Sequence, residues 1–482
     1  MRDELRRLAK GSTLYGLGGL LPKTLGFVLI PIYTRYLTPR EYGVLVYVGA
    51  IYAVLSIVME MGQGQAVQRF YFEKRDDPEG LRSFLGSVQL FLFGANLVLA
   101  FLLVVFGDRL FFFSSIPFRP LLLIAVATAF FSISPIVPLW LFRARERAAP
   151  FVGLQIGYFV AVAGAIILAV AVWRLGVLGA LEARLYVTVG YAVLGWALVA
   201  PRIRFRADRK DIGDALRFGL PLVPMDVANW ILTFSDRVLL ERMTTLEQVG
   251  LYSLGYTIGM VMADVVRSIH KAYLPYFLDI VGSDSKAPRT LATMGLAYVT
   301  AISAIALFGV LFAREGVMLL AAKSYHGAAR VVPYVIVGYL IHGLYYLCIN
   351  PLYYLKQTGI LSVATVVAAA VNVGLNLLWI PRFGMMGAAY ATVAAYLVPF
   401  LLVFAIAQRR FPIPYDFPKI AIVLLLFACA AAAGLAPAWQ GIVVPAAVKT
   451  LILGAFGGGL LVLRVVRWRD VTFLFSRSDA KR

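Results

Sequence analysis

The sequence predicts an all-α integral membrane protein of about fourteen transmembrane helices, and three observations predict it. Hydrophobic residues make up 61% of the 482 residues and charged residues 15%, and the mean hydropathy is +0.83. A soluble chain carries roughly 25% charged residues and could not hide this much apolar side chain, whereas a bilayer solvates it. Apolar runs of about 20 residues, enough for a helix to cross the hydrocarbon core, recur along the whole chain. The connections between them are short, and none is long enough to form a soluble domain.

The charged start, Met1 to Lys10, runs into a long apolar segment. It lacks the short core and small-residue cleavage site of a secretory signal, so a retained first helix is expected. The expected spans are Ser12–Tyr33, Tyr42–Gly62, Ser83–Phe106, Arg119–Phe142, Phe151–Trp173, Gly179–Pro201, Arg217–Leu239 and Val249–Lys271. Leu291–Phe312, Arg330–Leu355, Leu361–Ile380, Gly384–Gln408, Pro418–Ala436 and Val443–Arg464 follow. The longest connections surround Pro201–Leu216 and Phe277–Arg289.

The formal charge is +20. In a soluble protein this would suggest a nucleic-acid partner, but here the basic residues sit in short loops between apolar runs, where they set orientation. With the N-terminus in the cytoplasm, the inside segments hold about 30 Lys and Arg and the outside loops about 12, the bias of the positive-inside rule. The basic run Arg202–Lys210, Arg409-Arg410 and the tail after Arg464 all fall inside. Both termini are therefore expected in the cytoplasm, which requires an even span count. Cys348 and Cys429 lie inside apolar segments and His270, His326 and His342 are scattered, so no disulfide framework, metal site or cofactor is expected.

Two segments recur at one offset. Arg35-Tyr-Leu-Thr-Pro-Arg-Glu-Tyr-Gly-Val matches Arg242-Met-Thr-Thr-Leu-Glu-Gln-Val-Gly-Leu, about 207 residues on. Arg174-Leu-Gly-Val-Leu-Gly-Ala-Leu-Glu-Ala matches Arg382-Phe-Gly-Met-Met-Gly-Ala-Ala-Tyr-Ala, about 208 residues on. The offset equals six spans, so the copies share one orientation. The expected organisation is a six-helix lobe over 1–210, a pseudo-symmetric six-helix lobe over 211–412, and two further helices with a basic tail over 413–482. Parallel repeats of this kind are a transporter architecture working by alternating access.

Two stretches carry a family resemblance. Ser235-Asp-Arg-Val-Leu-Leu followed by Val249-Gly-Leu-Tyr-Ser resembles the Asp-Arg…Gly-x-Tyr stretch of the Wzx-like polysaccharide flippases. Asn372-Val-Gly-Leu-Asn-Leu-Leu-Trp-Ile-Pro-Arg-Phe-Gly-Met-Met-Gly-Ala-Ala-Tyr-Ala-Thr resembles the same family's Asn-Leu…Ile-Pro…Gly-x-x-Gly-Ala-Ala signature. These flippases are a branch of the multidrug/oligosaccharidyl-lipid/polysaccharide superfamily. The resemblance implies two lobes around a central cavity and a polyprenyl-diphosphate-linked oligosaccharide moved from the inner to the outer leaflet of the cytoplasmic membrane. It implies pathway partners such as a polysaccharide polymerase, and no enzyme activity. Asp236, Arg237, Gly250, Gly384 and Gly387 are its motif positions here.

Charges within spans are costly, so they are candidates for cavity roles. Lys23 lies about 11 residues into the first span, near mid-depth at about 1.5 Å per residue. Its neighbour Pro22 breaks the helical ladder. The repeat-related seventh span carries Pro221 and Pro224, with Asp226 just beyond. In the eighth span Ser253, Tyr256, Thr257, Met260, Asp264, Arg267 and Lys271 share one helical face. Arg267 corresponds to Glu60 at the repeat offset, and the two are the candidate gate pair. Asn372 and Asn376 share a face of the eleventh span, where amides are expected to bond across helices or to meet glycan. Glu182, Arg184 and Arg330 are expected to anchor at the outer interface, with capture of a leaving diphosphate as the alternative, Lys449 to snorkel, and His342 to be a hydrogen-bonded interior histidine, with a proton shuttle as the alternative.

Two alternatives stay open. A multidrug or cation antiporter of the same superfamily would use cavity carboxylates, and Asp226 keeps it alive. A membrane polysaccharide ligase or polymerase needs a sizeable outer loop or a nucleophile–base set, which the sequence does not offer.

Overall fold

The computed structural model describes residues 26–283, 287–435, 443–463 and 465. Lys23 and Pro22 lie outside them. Every regular element among the described residues is a helix. Ten helices there are long and apolar enough to cross a membrane, or eleven with a bent pair taken as one span.

The four expected spans missing from the ten differ in their reasons. Most of Ser12–Tyr33 lies outside the described residues. Arg119–Phe142 is the bent pair, Phe118–Ser132 and Ile136–Ala144, hinged by 40°. Pro135 and Pro138 lie at the hinge, where each removes a ladder donor. Arg217–Leu239 is broken at Pro221, and the helix that follows, Val223–Met243, carries Asp226, Asp236, Arg237, Glu241 and Arg242. The last span shows a shorter apolar stretch, Ala446–Val462.

By contact the chain forms two compact units, Met1–Ser253 and Leu254–Arg482. The division falls beyond the expected lobe boundary at 210 because the helices after it pack on the first unit. The described helices of that unit are α1 (Ile30–Tyr36), α2 (Pro39–Glu60), α3 (Gln63–Lys74), α4 (Pro78–Leu110), α5 (Leu123–Ser132), α6 (Ile136–Ala144), α7 (Ala148–Ile167), α8 (Gly176–Val199), α9 (Arg209–Gly219) and α10 (Val223–Met243). The start of α11 (Leu246–Gly259) completes it. Tyr47, Phe84, Leu92 and Leu122 fill its core. Leu97, Val98, Phe101 and Val105 of α4 lie exposed, a helix face suited to lipid.

The packing of α9 and α10 on this unit is specific. Asp208 caps α9, accepting from the backbone N–H groups of Lys210 at 2.8 Å and Asp211 at 3.4 Å. The Asp211 carboxylate accepts from Lys74 Nζ of α3 at 2.9 Å. Trp230 Nε1 of α10 donates to the Ala50 carbonyl of α2 at 3.0 Å. The basic connection between α8 and α9 is laid along the start of α4, with Arg204 N donating to the Arg82 carbonyl at 3.0 Å.

Helix α2 starts at a capping box, in which Thr38 and Glu41 satisfy each other's backbone N–H groups. It ends where Met61 and Gly62 turn left-handed, at φ 52° and 68°. Buried amides then accommodate the carbonyls around the break, as a membrane interior requires. Asn96 Nδ2 donates to the Met59 carbonyl at 2.9 Å, and Gln63 Nε2 to the Met61 carbonyl at 3.1 Å.

One close approach carries the internal repeat into three dimensions. A Cβ added at Gly43 would stand 1.9 Å from the Leu246 carbonyl oxygen, and one at Gly250 would stand 2.0 Å from the Pro39 carbonyl oxygen. Leu246 and Gly250 are the repeat equivalents of Pro39 and Gly43. The contact is therefore reciprocal: each copy's glycine admits the other copy's carbonyl.

The second unit continues through α12 (Val261–Ser283), α13 (Ala287–Leu311), α14 (Ala313–Leu320), α15 (Val332–Tyr354), α16 (Thr358–Phe383), α17 (Met385–Arg410), α18 (Phe417–Leu435) and α19 (Val443–Val462). The expected eighth span is longer than Val249–Lys271, because α11 and α12 run together as Leu246–Val281. Gly384, at φ 58°, reverses the chain between α16 and α17. Gly387 lets α17 pass close to α16: a Cβ there would lie 2.3 Å from the Trp379 carbonyl oxygen. Gly176 of the first unit, at φ 63°, is the repeat equivalent of Gly384.

The reciprocal contact predicts that Gly43→Val and Gly250→Val each lower the midpoint of thermal unfolding in detergent by on the order of 10 °C, or prevent accumulation of folded protein. Gly94 of α4, with open space around its Cβ position, is the control, and Gly94→Ala should leave the midpoint unchanged or raise it slightly. A Gly43→Val protein as stable as wild type would contradict the contact.

Candidate functional site

Polar groups of the helices gather at separate places in the two units. In the first, Glu60 ends α2 and its carboxylate turns back toward the Gly64 backbone, beside the Trp140 ring. Asp226 lies in the first turn of α10, behind the Pro221 and Pro224 break, where a helix N-terminus favours a carboxylate. It is the charged neighbour that acts on Glu60. Two candidates far apart in sequence are thus electrostatic neighbours of like sign.

Asp236 and Arg237 form a buried structural pair. The Asp236 carboxylate accepts from Arg237 NH1 at 2.7 Å and from the Arg237 backbone N–H at 2.9 Å. Its other oxygen accepts from the Tyr252 hydroxyl. The guanidinium also donates to the Thr233 carbonyl and lies 5.3 Å from the centre of the Tyr252 ring. The family-like Asp-Arg…Gly-x-Tyr stretch is a local lock: its tyrosine closes on its aspartate one helix away.

Sequence reasoning missed Glu241. Its carboxylate is buried and accepts from the Ser115 N–H at 2.6 Å and from the Ser115 hydroxyl. It also placed Arg184 at the interface as an anchor. The guanidinium instead turns into a cavity of about 470 Å³ inside the first unit, 4.2 Å from the centre of the Tyr52 ring.

In the second unit, Asp264 and Arg267 pair one helical turn apart at 2.6 Å. Arg267 keeps 38% of its side chain exposed, so the pair leaves a face of the guanidinium open. Around it stands a cluster of rings. His270 stacks on Tyr346 with centroids 4.3 Å apart, and its Nε2 meets Asn350 Oδ1 at 2.8 Å. His342 lies against Tyr345 at 5.5 Å, Tyr346 at 4.8 Å and Tyr396 at 5.0 Å. Arg267 acts electrostatically on both His342 and Tyr346. The expected stripe continues into α11, where the Tyr256 and Tyr339 hydroxyls bond at 2.9 Å. His270 escaped the sequence reading, although it lies three residues past Arg267 on the same helix. A half-open guanidinium among hydroxyls, amide and aromatic faces can meet a phosphate oxygen and a sugar ring together.

Asn372 and Asn376 are buried and bond to each other along α16, Asn376 Nδ2 donating to Asn372 Oδ1 at 3.1 Å. The i, i+4 spacing permits this in-helix bond. Lys449 does not snorkel. Its ammonium lies 2.7 Å and 2.9 Å from the two carboxylate oxygens of Glu315 at the start of α14, with 7% and 17% of the two side chains exposed. A buried carboxylate within reach outcompetes the distant water surface. Among the described residues no group of three or more His, Cys, Asp and Glu side chains could hold a metal ion.

Comparison with known proteins gives three kinds of likeness. A family model described as polysaccharide biosynthesis protein matches residues 8–281, more than half of the chain. The "Lsg locus putative protein 1" of Haemophilus influenzae is 21% identical over 397 residues, covering 79% of this chain and 95% of that protein. Among solved structures, a lipid II flippase, MurJ, in an inward closed conformation superposes with TM-score 0.73 at 15% identity, covering 92% of this chain and 98% of the other. An inward-facing multidrug resistance MATE family transporter of the MOP superfamily superposes with TM-score 0.59 at 16% identity, covering 80% and 94%. At these identities the structural likeness is one of fold.

The buried Lys449–Glu315 pair generates a test of the local account. Lys449→Met alone strands a buried carboxylate and should cost about 3–5 kcal/mol of stability, whereas Lys449→Met with Glu315→Leu should come back to within about 1 kcal/mol of wild type. Thermal or denaturant unfolding of the purified protein measures both. A double variant as unstable as the single one would sink the pairing.

Proposed function

We propose that this chain, which belongs to the polysaccharide biosynthesis protein family, is a flippase that moves a polyprenyl-diphosphate-linked oligosaccharide across the cytoplasmic membrane. The family match over residues 8–281 carries the reading. The fold shared with a lipid II flippase and the half-open Arg267 in its ring cluster agree with it. A flippase must replace the water around a diphosphate and a glycan while the polyprenyl tail stays in lipid. Cations serve the first need and hydroxyls, amides and aromatic faces the second.

In this reading the repeat-related segments 1–210 and 211–412 are the two six-helix lobes, and 413–482 adds the last two helices of fourteen. The lobes alternate access by rocking, with Lys23, Asp226, Asp264, Arg267, Asn372 and Asn376 as cavity residues and Glu60 and Arg267 as gating residues. Both termini lie in the cytoplasm. Transport makes and breaks no covalent bond of the cargo, so no residue is assigned a catalytic role. The enzymes that build the lipid-linked oligosaccharide and the polymerase that consumes it are the proposed pathway partners, with membrane lipids as the surrounding solvent.

One observation favours a second reading. The Glu60–Asp226 pair of acids is what a cation antiporter would present to its cargo or coupling ion.

The test is leaflet exposure in proteoliposomes. Wild-type protein should expose a polyprenyl-diphosphate oligosaccharide to an external glycan-binding probe well above protein-free vesicles. Arg267→Ala should slow exposure by about tenfold or more, and Arg267→Lys by less, because lysine keeps the charge without the fork. Exposure no faster than in empty vesicles would refute the reading.

A further inference from the structure

The cavity in the first unit is not used by the reading above. It holds about 470 Å³, within the roughly 300–1,000 Å³ of small-molecule sites. Tyr33, Tyr42, Tyr52, Tyr158 and Phe234 supply its aromatic walls, and Arg184 is the one Lys or Arg among its described lining residues. The Tyr158 hydroxyl meets Thr188 Oγ1 at 2.9 Å, and Tyr158 and Tyr33 are close electrostatic neighbours of the guanidinium. Among the described residues no carboxylate lies within ion-pair distance of Arg184.

The position of Arg184 makes this arrangement costly. It lies eight residues into α8, about 12 Å along the helix axis. A cation there costs about 3 kcal/mol or more unless something compensates it. Two other buried cations have found carboxylates: Arg237 has Asp236, and Lys449 has Glu315. Nor does Arg184 reach for the membrane surface, since its guanidinium is drawn against Tyr52. The described residues supply ring faces and hydroxyls to Arg184 and no counter-charge.

We propose that this cavity is a subsite for a carboxylate-bearing sugar of the cargo glycan, with Arg184 as the group that reads the carboxylate. The inference rests on the flippase reading for its cargo. Charge decides between candidate anions. One guanidinium neutralises one carboxylate in a bidentate contact. A diphosphate diester brings about two charges, so one would stay unpaired in a low-dielectric pocket. The walls fit a sugar as well: the C–H face of a pyranose ring packs on an aromatic face, and its hydroxyls meet tyrosine hydroxyls. A phospholipid head group offers a single charge but no ring to pack there.

The experiment compares two synthetic polyprenyl-diphosphate disaccharides that differ only in the terminal sugar, glucuronate or glucose. Full-length protein in nanodiscs of neutral lipid is titrated with each, and the ratio of the two dissociation constants is the readout. Wild type should bind the glucuronate form about tenfold more tightly. Arg184→Gln should bring the ratio to about one, and Arg184→Lys should retain part of it. A wild-type ratio of one overturns the proposal. So does an Arg184→Gln protein that keeps the wild-type ratio, because Arg184 would then serve the shared diphosphate or the fold. Loss of the ratio on adding phosphatidylglycerol to the nanodisc would assign the pocket to a lipid head group and overturn it too. Leaflet exposure of both compounds is measured in parallel. A kept binding ratio with neither compound moved would sustain the subsite and sink the flippase reading.

Discussion

In hydrocarbon there is no water to satisfy a stray polar group, and the interior of this protein is organised around that constraint. Several departures from regular apolar helix meet a partner. Where α2 breaks at Met61 and Gly62, Asn96 and Gln63 deliver amides to the carbonyls around the break. Where α10 carries adjacent opposite charges, Asp236 and Arg237 hold one another and Tyr252 closes over them. Where α19 places a lysine among apolar residues, Glu315 lies within 3 Å of it. Such matched pairs are expensive to break but add little over apolar packing. Their presence explains how the helices are held in register more than how tightly they are held.

The same constraint separates structural charges from functional ones. A buried pair such as Asp236–Arg237 spends its charges on each other. Arg267 is partnered on one side and open on the other. Arg184 is surrounded by rings and hydroxyls, with no carboxylate in ion-pair distance among the described residues. Glu60 and Asp226 are electrostatic neighbours of like sign. Incomplete compensation, rather than charge alone, marks the places where the protein has reason to meet a ligand. The glycines serve a different end: Gly43 and Gly250 bring repeat-related backbones together, and Gly176 and Gly384 make the same positive-φ reversal in each copy.

Much of this could be read in the sequence, because much of it is local. Apolar run length locates most spans. Pro221 announces the break before α10, and the Gly-x-x-Gly of Gly384 and Gly387 announces the turn into α17. Adjacent Asp236 and Arg237 could hardly avoid each other. What could not be read depends on contacts across long stretches of chain. Glu315 and Lys449 are 134 residues apart, so nothing near Lys449 marks it as paired. Arg184 looks like an interfacial anchor until Tyr52, from a distant helix, is seen drawing it inward. Asn372 and Asn376 share a face by spacing, but whether they bond to each other or across helices depends on what stands opposite. The contact boundary at Ser253 was also hidden, since the repeat records ancestry and not which helices now pack together.

The central claim is that the cargo is an anionic lipid-linked glycan and not a cation. Placing both in the same vesicles tests it most directly. One preparation of proteoliposomes receives a polyprenyl-diphosphate oligosaccharide and a lipophilic cationic dye, and leaflet exposure of the first and efflux of the second are followed together. The account predicts glycan exposure well above empty vesicles, with dye efflux equal to theirs. Dye efflux above the empty-vesicle rate, with no glycan exposure, would contradict it and make the Glu60–Asp226 pair the centre of the molecule's function.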